Sequence, residues 1–522
     1  MIVDIPDRCG SISSGNFRFI LNHGVQIVKS CSSLPDKVLI IGSGVGGLST
    51  AIILAKLGID VTVLEKNFRP GGLLRSYTRD GIECGVGVHY LGSLDRGQIL
   101  RSFFDYLGVS EGIPVVKMGQ DGVIDRYIFD SSINSPPIFD LPQGMDGYEE
   151  NLNRAFPGEE EKIAKLLIPL RQAGRQLHGL DFLYSTDNDF SLLDQSQSLG
   201  EILTELQCSP GLRSVLSIPS CWIGVPPNDC PAYYHNMALA SYVSSSWRLE
   251  RNGSDMADVF AGRLKELGGR IVVGEEVSRI NVEDRVVTGL QLRSGEDLTA
   301  GTVIGAVHPK VVLKMLSRGD VKPSYRQRIS NLQDTHGIFS VHVRLDADMH
   351  QEIPYNIFKI NAAHNGDVVD LKYYQIRKSE KKDATLLSIL TSGKDELWAP
   401  WSETKSGYRG GDYLERKEKH AAELVREAEE QFGSFKGLKI LDTYTPLTIR
   451  DWVNSPGGSA YGVLRSSSQM LATALLNRTA VKGLYLAGQS VMAPGIIGTI
   501  MGSLSTVKLI LGAEEFEKRV KF

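Results

Sequence analysis

Residues 37–47 read Lys-Val-Leu-Ile-Ile-Gly-Ser-Gly-Val-Gly-Gly. The first five form an apolar, β-branched run of the kind that makes a buried parallel strand. The glycines follow at once, so the strand is expected to enter a tight turn. Gly42 permits that turn, Gly44 lets the backbone approach a pyrophosphate, and Gly47 allows the next helix to lie against the strand. A helix is expected over 48–57, stopping near Gly58, with its N-terminal amides and dipole forming an anion site. Val61-Thr62-Val63-Leu64 then reads as a second buried strand. It ends in Glu65, whose carboxylate is placed to accept hydrogen bonds from adenosine ribose hydroxyls and disfavours a 2′-phosphate. Strand, glycine turn, helix, strand and terminal acid together are far more specific than a lone G-x-G-x-x-G. They point to FAD or NAD rather than NADP.

The rest of the chain favours FAD. Pro70-Gly71-Gly72 follows Glu65 closely, and near the C-terminus Leu484-Tyr485-Leu486-Ala487-Gly488 precedes Pro494-Gly495-Ile496-Ile497-Gly498. A second helix N-terminus facing a loop suits the flavin ring and the ribityl-phosphate end. No second G-x-G-x-x-G occurs, which leaves the source or sink of electrons unassigned. From Gly483 to Val507 no charged residue appears, long enough to imitate a membrane span. Five glycines, Gln489 and Pro494 interrupt it, however, and a broken backbone in lipid would leave polar groups unsatisfied. Strand, glycine-rich loop and helix is the better reading.

With 522 residues, 42% hydrophobic and 23% charged, the chain is expected to be globular with more than one core. The net charge of −4 is spread along the sequence and gives no field to attract nucleic acid or an anionic membrane. Six cysteines form no C-x-x-C pair and no zinc-like spacing, so neither a dithiol centre nor a structural metal is expected. A reducing cytoplasm is the expected setting. Asp4 and Asp7 interrupt the N-terminus, which does not read as a secretory signal. Within an extension over 1–36, Phe17, Phe19 and Leu21 alternate as in a strand, and an appended arm or a disordered leader fits the same residues equally well.

These motifs resemble the phytoene desaturase, carotenoid isomerase and retinol saturase branch of flavoproteins. The likeness runs through KVLIIGSGVGGLSTAIILAKLGIDVTVLEKNFRPGG (37–72), GVGVHYLG (85–92), GSDMADVFAGRLKELGGRIVVGEEVSRI (253–280), TPLTIRDW (445–452) with Ala460-Tyr461-Gly462, and LYLAGQSVMAPGIIG (484–498). His89-Tyr90 and Gly488-Gln489 bring it nearest the retinol saturase side. The resemblance implies an α/β fold: a discontinuous, glutathione-reductase-type Rossmann-like FAD-binding domain over 37–110, 250–335 and 440–512. An α+β substrate domain over 111–249 and 336–439 would be inserted into it, with 513–522 as a tail. It further implies that Gly42, Gly44, Gly47, Glu65 and Gly72 bind FAD, that the Val277 backbone meets the adenine, and that Gly488 and Gly498 lie against the flavin. The sequence departs from the pattern at Gly85 and Ser490, where acids are common, and at Leu73, where an arginine is common.

The implied reaction is saturation, desaturation, isomerisation or reductive cyclisation at carbon–carbon double bonds of a lipophilic conjugated polyene or isoprenoid. Such an enzyme would meet its substrate at a membrane surface without spanning it. His89 and Tyr90 are the nearest titratable groups the sequence identifies beside the flavin, and histidine exchanges protons near neutral pH. Trp452 and Tyr461 adjoin the flavin in the resembling family, and Trp222 stands in an aromatic-rich central stretch; these three are expected to line the substrate pocket. Two other classes remain open at this point: a flavin amine oxidase with an aromatic cage, and a flavin-binding escort without a reactive pocket.

Overall fold

A computed structural model describes residues 34–130, 136–180, 183–184 and 197–522. The alternation at Phe17, Phe19 and Leu21 lies outside the described residues.

Five short parallel strands lie side by side in the order Arg270–Val273, Asp60–Glu65, Lys37–Ile41, Thr302–Gly305, Leu484–Leu486. Numbered along the chain, that order is 3-2-1-4-5, the Rossmann arrangement. Its direction reverses between Lys37–Ile41 and Thr302–Gly305, which is where a dinucleotide binds in such sheets. The central strand is buried because Val38, Leu39 and Ile40 are at most 1% exposed. The helix Val45–Lys56 crosses from it to the next strand and packs against Gly495–Leu511, the C-terminal helix. Small residues let these helices approach: Ser503 Oγ donates to the Gly46 carbonyl at 3.0 Å and lies 2.9 Å from Ser49 Oγ.

The stretch free of charge thus resolves into strand Leu484–Leu486, a loop, and helix Gly495–Leu511. Among the described residues no single helix is long and apolar enough to cross a membrane. Gly495–Leu511 passes that test only with Ala513–Arg519, from which it is bent by 118°.

A second sheet has seven mixed strands in the order Lys439–Tyr444, Ile338–Asp346, Ala384–Ser392, Val368–Lys378, Asn356–Ala362, Asp125–Phe129, Ile138–Leu141. The helix Gly411–Phe432 backs one part of it through Ala421, Leu424, Val425 and Ala428. Helices Glu160–Gly179, Pro210–Cys221 and Ala232–Ser244 build a layer near the other. The fold is therefore α/β, a Rossmann-like nucleotide unit combined with an α+β unit.

Two expected boundaries shift. Lys439–Tyr444 pairs with Ile338–Asp346, so a cut at 440 divides a strand of the seven-stranded sheet. Residues 513–519 are helical, with Phe516 1% and Val520 0% exposed, so the C-terminus is packed rather than a tail. The four-residue spacing of Phe516 and Val520 puts both on one helix face.

Candidate active site

The glycine turn is built on backbone contacts. Gly42 N–H donates to the Leu64 carbonyl at 2.8 Å and Gly71 N–H to the Ser43 carbonyl at 2.9 Å, which draws Gly71-Gly72 onto the turn. A Cβ at Gly47 would stand 1.9 Å from the Gly42 carbonyl oxygen, and one at Gly46 2.6 Å from Gly488 Cα. At Gly44 a Cβ would meet nothing nearer than Gly72 Cα at 4.0 Å. Three separate chain segments therefore converge as bare backbone around Gly44. The helix beginning at Val45 has no side-chain cap and no acid in its first turn, and the same is true of the helix beginning at Gly495. Two helix N-termini thus offer unpaired amides at one glycine-lined cradle, which fits the pyrophosphate and ribityl end of FAD.

Glu65, at the end of the second strand, is 6% exposed. Its Oε2 accepts from Ser43 N–H at 3.1 Å and Ser43 Oγ at 2.6 Å, and its Oε1 from Asn67 N–H at 2.9 Å and Nδ2 at 2.6 Å. Ribose hydroxyls reaching this carboxylate would exchange with the Ser43 hydroxyl or the Asn67 amide, because its roughly four lone-pair positions are taken. The strand opening at Val277 follows Glu275, whose N–H donates to the Glu65 carbonyl at 2.9 Å. Glu65 and the Val277 segment are thereby adjacent. Gly498 lies in the first turn of its helix, where a Cβ would stand 2.5 Å from the Ala493 carbonyl oxygen.

Rings gather a short distance away. Tyr90 and Tyr242 lie 4.5 Å apart, Tyr242 and Trp222 5.1 Å, Trp222 and Phe358 6.4 Å, and Phe358 and Tyr373 5.2 Å, between centroids. Gly224, two residues beyond Trp222, sits against Tyr461 so closely that a Cβ would come within 2.5 Å of Cδ2. Gly462 in turn faces Gln489 and Ser490 of the C-terminal loop. Tyr234 Oη reaches the Met492 carbonyl at 3.3 Å. Trp222, Tyr242, Tyr90 and Tyr461 therefore connect the aromatic cluster to the loop that precedes the second helix N-terminus. Trp452 is elsewhere: it is 52% exposed and offers only its carbonyl, to Asn67 and Arg75. Its position in a motif next to Tyr461 in sequence does not carry over into space.

His89 packs 5.3 Å from the Tyr373 ring, and its Nε2 is buried without a protein partner. Burial and the nearby Arg377 charge push its pKa down to about 4, so the imidazole is neutral at physiological pH. The near-neutral exchange expected of it is lost to desolvation. Burial holds the Tyr90 phenol well above its ordinary range.

Sequence reading missed the floor beneath these two residues. His342, Ser388, Gln375, Asn356 and Asp125 form a polar row across five neighbouring strands, each at most 4% exposed. His342 Nδ1 lies 3.1 Å from Ser388 Oγ, Gln375 Nε2 donates to Asn356 Oδ1 at 3.3 Å, and Asn356 Nδ2 to Asp125 Oδ1 at 2.8 Å. Tyr90 Oη donates to Asp125 Oδ2 at 3.3 Å, and Gln375 Nε2 reaches the His89 carbonyl at 3.4 Å. The only signal in the sequence was polar residues inside otherwise apolar strands, and their alignment across the sheet needs the register. Among the described residues no cluster of His, Cys, Asp or Glu is arranged to hold a metal ion.

The chain matches the sequence pattern of the family described as flavin containing amine oxidoreductase over residues 45–506. It is 25% identical to the all-trans-retinol 13,14-reductase of Danio rerio, covering 92% of this chain and 87% of that protein. It is 23% identical to the 4,4′-diapolycopene oxygenase of a Methylomonas species, covering 91% and 98%. Among solved structures a redesigned putrescine oxidase superposes with a TM-score of 0.62 at 16% identity, over 92% of this chain and all of that one.

Proposed function

The chain belongs to the family of flavin-containing amine oxidoreductases, and from that premise we propose that this FAD-dependent enzyme acts on carbon–carbon double bonds of a lipophilic conjugated polyene or isoprenoid. The carrying observation is the aromatic cluster: flat, uncharged faces of Trp222, Tyr242, Tyr90, Phe358 and Tyr373, linked through Tyr461 to the C-terminal glycine loop. Such flat apolar walls suit a conjugated chain. Relatives over nine-tenths of the chain bear the names of a retinol reductase and a diapolycopene oxygenase, which supports the same substrate class.

Gly42, Gly44, Gly47, Gly72, Gly488 and Gly498 hold the diphosphate and ribityl portions of FAD by backbone, and Glu65 with the Val277 segment meets the adenosine. Bound FAD supplies two-electron chemistry as a hydride donor or acceptor. Tyr461 and Trp222 line the substrate path, Tyr90 handles the proton, and His89 shapes the pocket as a neutral ring. The nucleotide-binding part comprises 37–110, 250–335 and the chain after Tyr444, with the intervening segments forming the substrate part. Contact with a membrane surface would deliver the substrate, and co-sedimentation with phospholipid vesicles tests it.

The putrescine oxidase likeness favours amine oxidation as the second reading. Photoreduction of the purified yellow protein without oxygen, followed by addition of candidate acceptors, decides between them. Reoxidation by conjugated polyenes is the expected result. Hydrogen peroxide release with amines, and no response to any lipophilic alkene, would overturn the reading.

A further inference from the structure

Asp125 is a carboxyl group for which the reading above has no use. It is 0% exposed, on the strand that runs under Tyr90, and no cation lies within ion-pair distance of it among the described residues. Its Oδ1 accepts from Asn356 Nδ2 at 2.8 Å and its Oδ2 faces Tyr90 Oη at 3.3 Å. Asn356 cannot turn round. Its Oδ1 accepts from Tyr373 Oη at 2.9 Å, Gln375 Nε2 at 3.3 Å and Arg248 Nη2 at 3.4 Å, so its amide nitrogen must point at Asp125. A proton on Asp125 therefore cannot sit on Oδ1, where it would meet an N–H. It sits on Oδ2, and the acceptor within reach is the Tyr90 oxygen.

We propose that Asp125 is the positioning residue and proton store for Tyr90: as a carboxylate it accepts from Tyr90 Oη, and once protonated at Oδ2 it donates to that oxygen instead, which turns the phenol hydrogen toward the aromatic cluster. The proposal rests on reduction of a carbon–carbon double bond there. In that step one olefin carbon takes hydride from reduced FAD, which is oxidised by two electrons. The other carbon takes the Tyr90 proton, and the Asp125 proton restores the phenol. The π bond is replaced by two C–H bonds, Tyr90 ends neutral, and Asp125 ends as a carboxylate that regains a proton from solvent.

Electrostatics agree with the geometry. An ionised carboxylate here would have two hydrogen bonds and no salt bridge, a costly burial, and its pKa is pushed up to about 7 by desolvation. The groups facing it are Tyr90, Arg248, Tyr373 and Tyr242 from other elements and Tyr127 from its own strand. Only Arg248 is cationic; its Nη groups turn to the Ile353 carbonyl, Asn356 and Glu352, and its buried Nε has no partner.

The test uses the FAD-loaded protein. Infrared difference spectra across neutral pH, without substrate, should show a protonated-carboxyl band that disappears with a midpoint near 7 and is missing in Asp125→Asn. In single turnovers with a polyene, the photoreduced wild type should slow about tenfold per pH unit above that midpoint. Asp125→Asn should be flat with pH and about 10²-fold slower, Asp125→Glu should restore the slope, and FAD content should be unchanged in each. Should Asp125→Asn not fold, Tyr90→Phe should keep the infrared band and lose the slope. A band absent from the wild type, a band that survives Asp125→Asn, or a Tyr90→Phe rate with the wild-type slope overturns the proposal. A wild type whose flavin no polyene reoxidises would instead overturn the substrate reading, while the infrared result still decides whether Asp125 carries the proton.

Discussion

His89 and Tyr90 are neighbours in sequence with opposite chemistry. A buried imidazole with its pKa near 4 is neither charged nor ready to become so at pH 7, whereas a phenol held far above its ordinary range keeps its hydrogen. Only the phenol has a carboxyl group behind it. Tyr90→Phe should therefore retain FAD and lose about 10²-fold in turnover, within the usual contribution of acid–base catalysis. His89→Gln should retain FAD and lose less than about tenfold, the loss of a shaped pocket wall rather than of a proton carrier. Steady-state rates, with flavin absorbance measured first, check both. Equal losses in the two variants would assign the proton elsewhere. From sequence the two residues were equivalent candidates, since what separates them is how burial acts on each group and the partner that only Tyr90 has.

Among elements, the strand-turn-helix at 37–56 was legible because the apolar run, the glycines and the helix follow one another directly in the chain. The demands on its glycines differ, and they can be told apart. A Cβ at Gly47 would overlap the Gly42 carbonyl at 1.9 Å, while one at Gly44 would meet only open space and Gly72 Cα at 4.0 Å. Gly47→Ala should thus damage the turn itself, giving apo protein with a lower melting temperature and no flavin. Gly44→Ala should leave the apo protein as stable as wild type, yet bind FAD at least about tenfold more weakly, because the added methyl occupies the approach of the diphosphate. Differential scanning of apo protein with FAD titration separates the two, and a Gly44→Ala apo protein that is itself destabilised would show that the open space is not where the cofactor binds. The polar row from His342 to Asp125 was not legible in the same way. Its five members come from strands spread between residues 125 and 392, and nothing in any one of those strands marks the polar residue that joins the row. Trp452 was expected in the pocket from the resemblance alone, and a motif does not say which way its ring faces: on the helix Pro446–Val453 the residue is half exposed.

At the scale of the whole molecule, burying several titratable groups without counter-charges fixes how stability depends on pH. His89 and His235 titrate near 4 and His342 near 3, all three held down chiefly by desolvation from an ordinary 6.5. Each is neutral when folded and protonated when unfolded across the window between those values, so its contribution to stability is present above about 6.5 and lost as pH falls. Asp125 works the other way. Its folded pKa near 7 exceeds the ordinary 3.8, so it favours the folded state below 3.8 and loses that contribution as pH rises through 7. Near pH 5 the unfolded chain therefore binds about three more protons on these three histidines and one fewer on Asp125, a net of about two from these four groups. His336 and His420, also held down by burial, act in the same direction as these histidines. Each net proton is worth about 1.4 kcal/mol per pH unit, so stability should fall by about 3 kcal/mol for each unit of acidification in that range. Denaturant midpoints measured from pH 7 to 5 should show this steep descent. His342→Gln, which removes a proton that must be expelled on folding while leaving Ser388 a partner, should make it shallower by about half, and Asp125→Asn should make it steeper by a similar amount. A slope that neither substitution changes would mean that these groups are hydrated in solution and that the polar floor of the site is open to water.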